Sequence, residues 1–129
     1  MSSTRRWTSV TADGMHPSAG TYSHAARVGD LLFVSGQAPL DIHGEVPSPD
    51  FRDQAQLAFD NLERVVQAAG ATLDDIVRLG VYLTTLDDFP ALNEVMEQRF
   101  SAPFPARTTI EIAFPRFLIE VDAVVAAPA

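Results

Sequence analysis

A guanidinium set behind a stiff approach is the most chemically suggestive feature of this sequence. Arg107 stands in Phe104-Pro105-Ala106-Arg107-Thr108-Thr109-Ile110-Glu111-Ile112. Pro103 and Pro105 deny the approach a helix and favour extended backbone. The run after them alternates, with Arg107, Thr109 and Glu111 on one side and Thr108, Ile110 and Ile112 on the other, which predicts a strand. A permanently charged, planar guanidinium at the mouth of a strand can grip a carboxylate through two parallel hydrogen bonds. On these residues alone the plain alternative, an exposed arginine at a strand start, is the commoner arrangement.

Other chemistries find less support. His16, His24 and His43 are the only histidines, and none pairs with another His or a carboxylate at metal-ligand spacing, so no metal site is expected. His24 adjoins Ser23 and reads as a strand-edge residue. The absence of cysteine excludes disulfides, thiolate zinc sites and a thiol nucleophile. Asp74-Asp75 and Asp87-Asp88 read as turn and helix-cap residues.

The elements that must position Arg107 follow from periodicity. Residues 5–10 suggest a short first strand, and residues 11–20 a loop. Ala25–Val28 and Leu31–Val34 flank Gly29-Asp30, a two-residue link with Gly first, as a type II′ hairpin prefers. The second of these strands ends in Ser35-Gly36-Gln37, where a Gly admits close approach of backbone or ligand. After a Pro-rich loop over 39–50, Asp50 caps a helix. Ala55, Ala58, Phe59, Leu62, Val65, Val66 and Ala69 form its apolar face, and Gly70 stands where it stops. Ile76–Thr85 predicts a long strand with Val77, Leu79, Val81 and Leu83 on one face. A second helix begins near Asp87-Asp88 and buries Phe89, Leu92, Val95, Met96 and Phe100. The Arg107 strand follows, then Leu118–Ala126, with Ile119, Val121, Ala123 and Val125 opposite Glu120, Asp122 and Val124.

Two amphipathic helices cover only one face of such a sheet. The other face is expected to carry hairpin Leu and Phe with Arg107, Thr109, Glu120 and Tyr82, a mixed surface suited to a subunit interface. The 129 residues suffice for a single domain over 1–129, and 47% hydrophobic content supports a packed core. A net charge of -8 disfavours nucleic-acid partners. No apolar run follows the N-terminal charges of Met1–Trp7, and none is long enough to span a membrane. The expected location is therefore the cytoplasm, with no membrane partner.

Several of these segments together resemble the RidA/YjgF family of reactive-intermediate deaminases. They are Tyr22-Ser23, Leu32-Phe33-Val34-Ser35-Gly36-Gln37, Asn61-Leu62, Asp74-Asp75-Ile76-Val77, Asp88-Phe89 with Asn93, Pro105-Ala106-Arg107-Thr108-Thr109 and Ile119-Glu120-Val121-Asp122-Ala123. The match runs from about Gly20 to Ala126. Pro-Ala-Arg-Thr-Thr followed by Ile-Glu-Val-Asp is its most specific part.

The resemblance implies an α+β, chorismate-mutase-like fold: a mixed sheet with two helices on one face, assembled as a homotrimeric barrel with three clefts between subunits. It implies hydrolysis of enamines and imines such as 2-aminoacrylate to 2-keto acids and ammonia, without metal or organic cofactor. Carried over by position, Arg107 is the substrate-carboxylate clamp. Glu120 positions or activates water across the interface. Tyr22, Ser35, Gly36, Asn93 and Thr109 line the cleft. The alternative is a non-catalytic binder of keto or amino acids in the same clefts. Gly20-Thr21-Tyr22 replaces the family's common Gly-Pro-Tyr, and the Phe114–Leu118 loop is shorter and more aromatic. These departures point to a dedicated pathway substrate more than to a different fold.

Overall fold

Gly29 turns the connection between two strands with φ of 57° while no non-glycine residue among those described takes a positive φ, which fits a Gly-first hairpin. In this computed structural model, which describes residues 4–128, that turn joins β2 (Ala25–Val28) to β3 (Leu31–Gln37). Met1-Ser2-Ser3 of the N-terminal stretch and Ala129, the end of the expected domain, lie outside the described residues. The first strand, β1, is confined to Thr8–Val10.

α1 spans Phe51–Ala68. The Asp50 carboxylate accepts the Asp53 N–H at 3.1 Å, and Gly70, at φ 81°, lets the chain leave. β4 (Ile76–Leu83) follows a turn in which the Asp75 carboxylate accepts from Thr72 N–H. Then come α2 (Phe89–Arg99), β5 (Ala106–Glu111) and β6 (Ile119–Ala126). The approach to β5 bends at Ala102–Pro103, whose peptide is cis, where the prolines suggest an extended lead-in.

The strands form one mixed sheet in the order β1-β2-β3-β6-β4-β5. Only β4 and β5 run parallel, joined through α2 as a parallel pair requires. Both helices lie on one face. Phe59, Leu62 and Val65 of α1 meet Leu79, Val81, Leu83, Ile119 and Val121 of the sheet, all fully buried. The opposite face carries no helix among the described residues, and Phe33 there is 45% exposed. An α+β fold with two helices over a mixed sheet is therefore as expected.

Two placements differ from the periodicity. Val77 is exposed while Ile76 is buried, because the β4–β6 register shifts between Ile76 and Arg78. An extra residue there resets the alternation. Phe89, at the first turn of α2, is partly exposed instead of buried.

Candidate active site in two halves

Strand pairing decides where Arg107 points, because directly paired residues project to the same face. Arg107 pairs with Leu79 and Thr109 with Val81, whereas Thr108 and Ile110 pair with Gly80 and Tyr82. Arg107 and Thr109 therefore lie on the helix-covered face. The expectation that they share the open face with Glu120 is corrected.

Around Arg107 the helix side builds one half-site. Arg107 Nη1 donates to Asn93 Oδ1 of α2 at 2.9 Å and touches Met96 Sδ. Its Cζ lies 5.0 Å from the Phe89 ring centroid, a cation–π distance. This accounts for the exposed Phe89: the ring forms a wall for the guanidinium instead of filling the core. Burial draws the Arg107 pKa down from its ordinary value, yet a guanidinium stays charged. No carboxylate of the described residues pairs with it. A cavity of about 280 Å³ opens beside it, between Asn93, Met96, Phe104 and Pro105 with Glu97 exposed at its edge. Thr109 Oγ1, two residues along on the same face, is buried without a hydrogen-bond partner. A half-buried cation without an acid partner, beside a cavity, is suited to an anionic ligand.

The second half lies across the sheet. Glu120 pairs with Tyr82 and so faces the helix-free side. Its carboxylate lies directly over Gly36: a Cβ there would come within 2.6 Å of Glu120 Oε1. Ser35 and Gly36 together stand opposite Asp122, in a register shift between Val34 and Gln37. That bulge turns Ser35 so that its hydroxyl donates to Ser23 O at 2.6 Å. Tyr22, 48% exposed, lines a cavity of about 380 Å³ with Trp7, Phe33 and Ser35. Burial, and then the charge of Asp122, push the Glu120 carboxyl pKa upward.

The seven expected site residues thus fall into two groups. Arg107, Asn93 and Thr109 lie on one side, and Glu120, Gly36, Ser35 and Tyr22 on the other or at its edge. From the pairing, Arg107 and Glu120 are two strands and three residues apart, so their Cα atoms are roughly 14 Å apart at the usual strand spacing and rise. A molecule the size of an amino acid cannot touch both within one copy. His24 is not an edge residue: it is buried, and its Nδ1 accepts from Ala12 N–H at 3.0 Å. Phe89 and Met96 join the Arg107 side without having been singled out for it. The signal was their spacing around Asn93, which helical periodicity alone assigns to the core. Among the described residues no group of His, Asp and Glu side chains could hold a metal ion.

Comparison with known proteins adds to this geometry. The family profile described as Endoribonuclease L-PSP matches residues 14–127. A 2-iminobutanoate/2-iminopropanoate deaminase of Dermatophagoides farinae is 41% identical over 95 residues, covering 73% of this chain and 74% of that protein. The RutC family protein y4sK of Sinorhizobium fredii is 44% identical over 109 residues, covering 82% and 86%. Among solved structures, RidA of an Antarctic Psychrobacter aligns with a TM-score of 0.87 at 34% identity, covering 92% of this chain and 98% of that one. TdcF of Escherichia coli, solved with bound serine, aligns at 0.85 and 32% identity, covering 92% and 98%.

Proposed function

Because the chain belongs to the endoribonuclease L-PSP family, the family of RidA and YjgF, we propose that it is a hydrolytic deaminase of 2-imino and 2-enamino acids, working as a cytoplasmic homotrimer. The observation that carries this reading is the division of the site. An acid-free, half-buried Arg107 and a half-buried Glu120 lie on opposite faces of one sheet. Each needs a complement that a second copy of the chain supplies. Packing three sheets by their helix-free faces, as a chorismate-mutase-like barrel does, would set the edge strand β5, and with it the Arg107 half of one copy, beside the Glu120 half of the next in three clefts.

The chemistry then asks little of the protein. Arg107, held by Asn93, fixes the substrate carboxylate by two hydrogen bonds. Thr109, with its unpartnered hydroxyl, lines the same side. Water adds to C2 of the imine as Glu120 takes one of its protons and passes it to the nitrogen, giving the carbinolamine. Glu120 then moves the hydroxyl proton to that nitrogen, the C2–N bond breaks with release of ammonia, and the C2–O bond becomes the keto group. Tyr22, Ser35 and Gly36 enclose the water side. An imine is already electrophilic, so orientation and proton transfer suffice, and no covalent nucleophile is needed. The RNA cleavage named in the family's description fits poorly with a chain of net charge -8. The departures at Gly20–Tyr22 and Phe114–Leu118 support a substrate dedicated to one pathway.

The test is release of ammonia and 2-keto acid from 2-aminoacrylate generated in situ. Wild type should speed decay, and Arg107→Ala should lower kcat/KM about 100-fold or more, the scale for loss of a charged bidentate contact. Equal decay with wild type, with Arg107→Ala and with no protein would leave a metabolite-binding protein instead.

A further inference from the structure

Glu120 is not the only carboxylate given room on the helix-free face. Asp122 follows two residues later on β6 and projects the same way. Each acid sits over a glycine. Gly36 makes space for Glu120, and a Cβ at Gly80 would overlap Asp122 Oδ1 and come within 3.1 Å of the Tyr82 hydroxyl. That hydroxyl donates to Asp122 Oδ2 at 2.8 Å, which fastens the second acid in place. The bulge at Ser35–Gly36 opens on the other side of Asp122. Two glycines, a tyrosine and a bulge are thus arranged around two acids on one face, each of whose charges disfavours ionisation of the other.

We propose that Asp122, fastened by Tyr82, is a positioning residue for Glu120, a second carboxylate that lets Glu120 both take the proton of the attacking water and return it to the departing nitrogen. The catalytic consequence rests on the deaminase reading; the coupling of the two acids does not. The electrostatics agree, since Asp122 is the one charged neighbour that adds to burial in holding the Glu120 pKa up. Among the described residues, the other titratable groups on this face are Tyr82 and Arg78 of β4, with Tyr22 at its edge beside Ser35. Arg78 is turned toward β5, where it donates to Thr108 Oγ1 at 3.0 Å. β3 presents Ser35 and Gly36 beside Glu120, and β5 presents Thr108 and Ile110, none of which titrates in the relevant range.

Carbon-13 NMR titration of the glutamate side-chain carboxyls reads this directly, with the Glu120 signal assigned by its loss in Glu120→Gln. In Asp122→Asn the Glu120 midpoint should fall by about half a pH unit to one unit, the scale for removing one like charge at this separation near a surface. The acidic limb of the kcat/KM profile should move with it. An unmoved midpoint overturns the proposal, including where Asp122→Asn loses activity, because that pattern marks a purely structural role. If Asp122→Asn does not fold, Asp122→Ala removes the same charge without leaving an amide against the Tyr82 hydroxyl. Its Glu120 midpoint should fall likewise, and an unmoved midpoint there overturns the proposal equally. The titration needs no substrate. A coupled midpoint in a protein that deaminates nothing would support the acid pair while sinking the deaminase reading.

Discussion

At the scale of single residues, the clearest consequence concerns Glu120. Burial and the Asp122 charge raise its pKa in the folded chain above the unfolded value. The folded protein therefore keeps that proton at pH values where the unfolded chain has released it. The resulting stability is present at and below the ordinary carboxylate range and is lost as pH rises through the folded-state value. Glu120→Gln cannot lose it. The variant should melt above wild type at about pH 8 and converge with it near about pH 4, while ligand affinity stays close to wild type and turnover falls. A series of thermal melts across pH, beside equilibrium binding and initial rates, checks all three. Parallel losses of affinity and turnover would instead make Glu120 a substrate-orienting group.

At the scale of elements, a helix side chain fastens the loop that leaves β3. Asn61 of α1 is buried, and its Nδ2 donates to Ala38 O and Leu40 O, each at 2.9 Å, while Oδ1 accepts from Arg64. Asn61→Ala removes the Nδ2 donor to Leu40 O and leaves Ala38 O with only the Leu40 N–H, and should cost about 2 kcal/mol. In denaturant this appears as a lower midpoint with an unchanged slope. The same elements show what the chain's pattern reveals and what it hides. The apolar spacing of α1, the Asp50 cap, Gly70 and the Gly29-Asp30 turn each act locally, so their signals survive in one dimension. The alternation around Arg107 separates two faces correctly but carries no information on which face the helices cover. That is fixed by parallel pairing of Arg107 with Leu79, a contact between residues far apart in sequence. Val77 misleads for a related reason: the register shift between Ile76 and Arg78 breaks the alternation at the start of β4, while Leu79, Val81 and Leu83 beyond it keep their expected face. Phe89 has the spacing of a core residue, and only the cation beside it explains its exposure. Ser35, Gly36 and Glu120 were nameable through family resemblance, whereas their contact required the β3–β6 pairing.

At the scale of the whole molecule, a site divided between copies makes a quantitative prediction. Arg107→Ala and Glu120→Gln should each be nearly inactive alone. Unfolded, mixed in equal amounts and refolded, they should recover activity, because some clefts receive Arg107 from one variant and Glu120 from the other. Random assembly restores about a quarter of the clefts. Recovery near zero would mean that one copy supplies both groups. Light scattering on the same mixture should give the mass of a trimer, and a monomer at micromolar concentration would remove the shared cleft altogether.

The strand order has a consequence for how the chain is made. β6 is synthesised after the other five strands described, yet it lies in the middle of the sheet, paired with β3 on one side and β4 on the other. Until it is in place, β1-β2-β3 and β4-β5 share no strand pairing and present two unpaired edges. Such edges are prone to mispairing, and the long sequence separations slow closure of the sheet. The strand that closes it also carries Glu120 and Asp122, so the chain acquires its acidic pair in the same step that completes its fold.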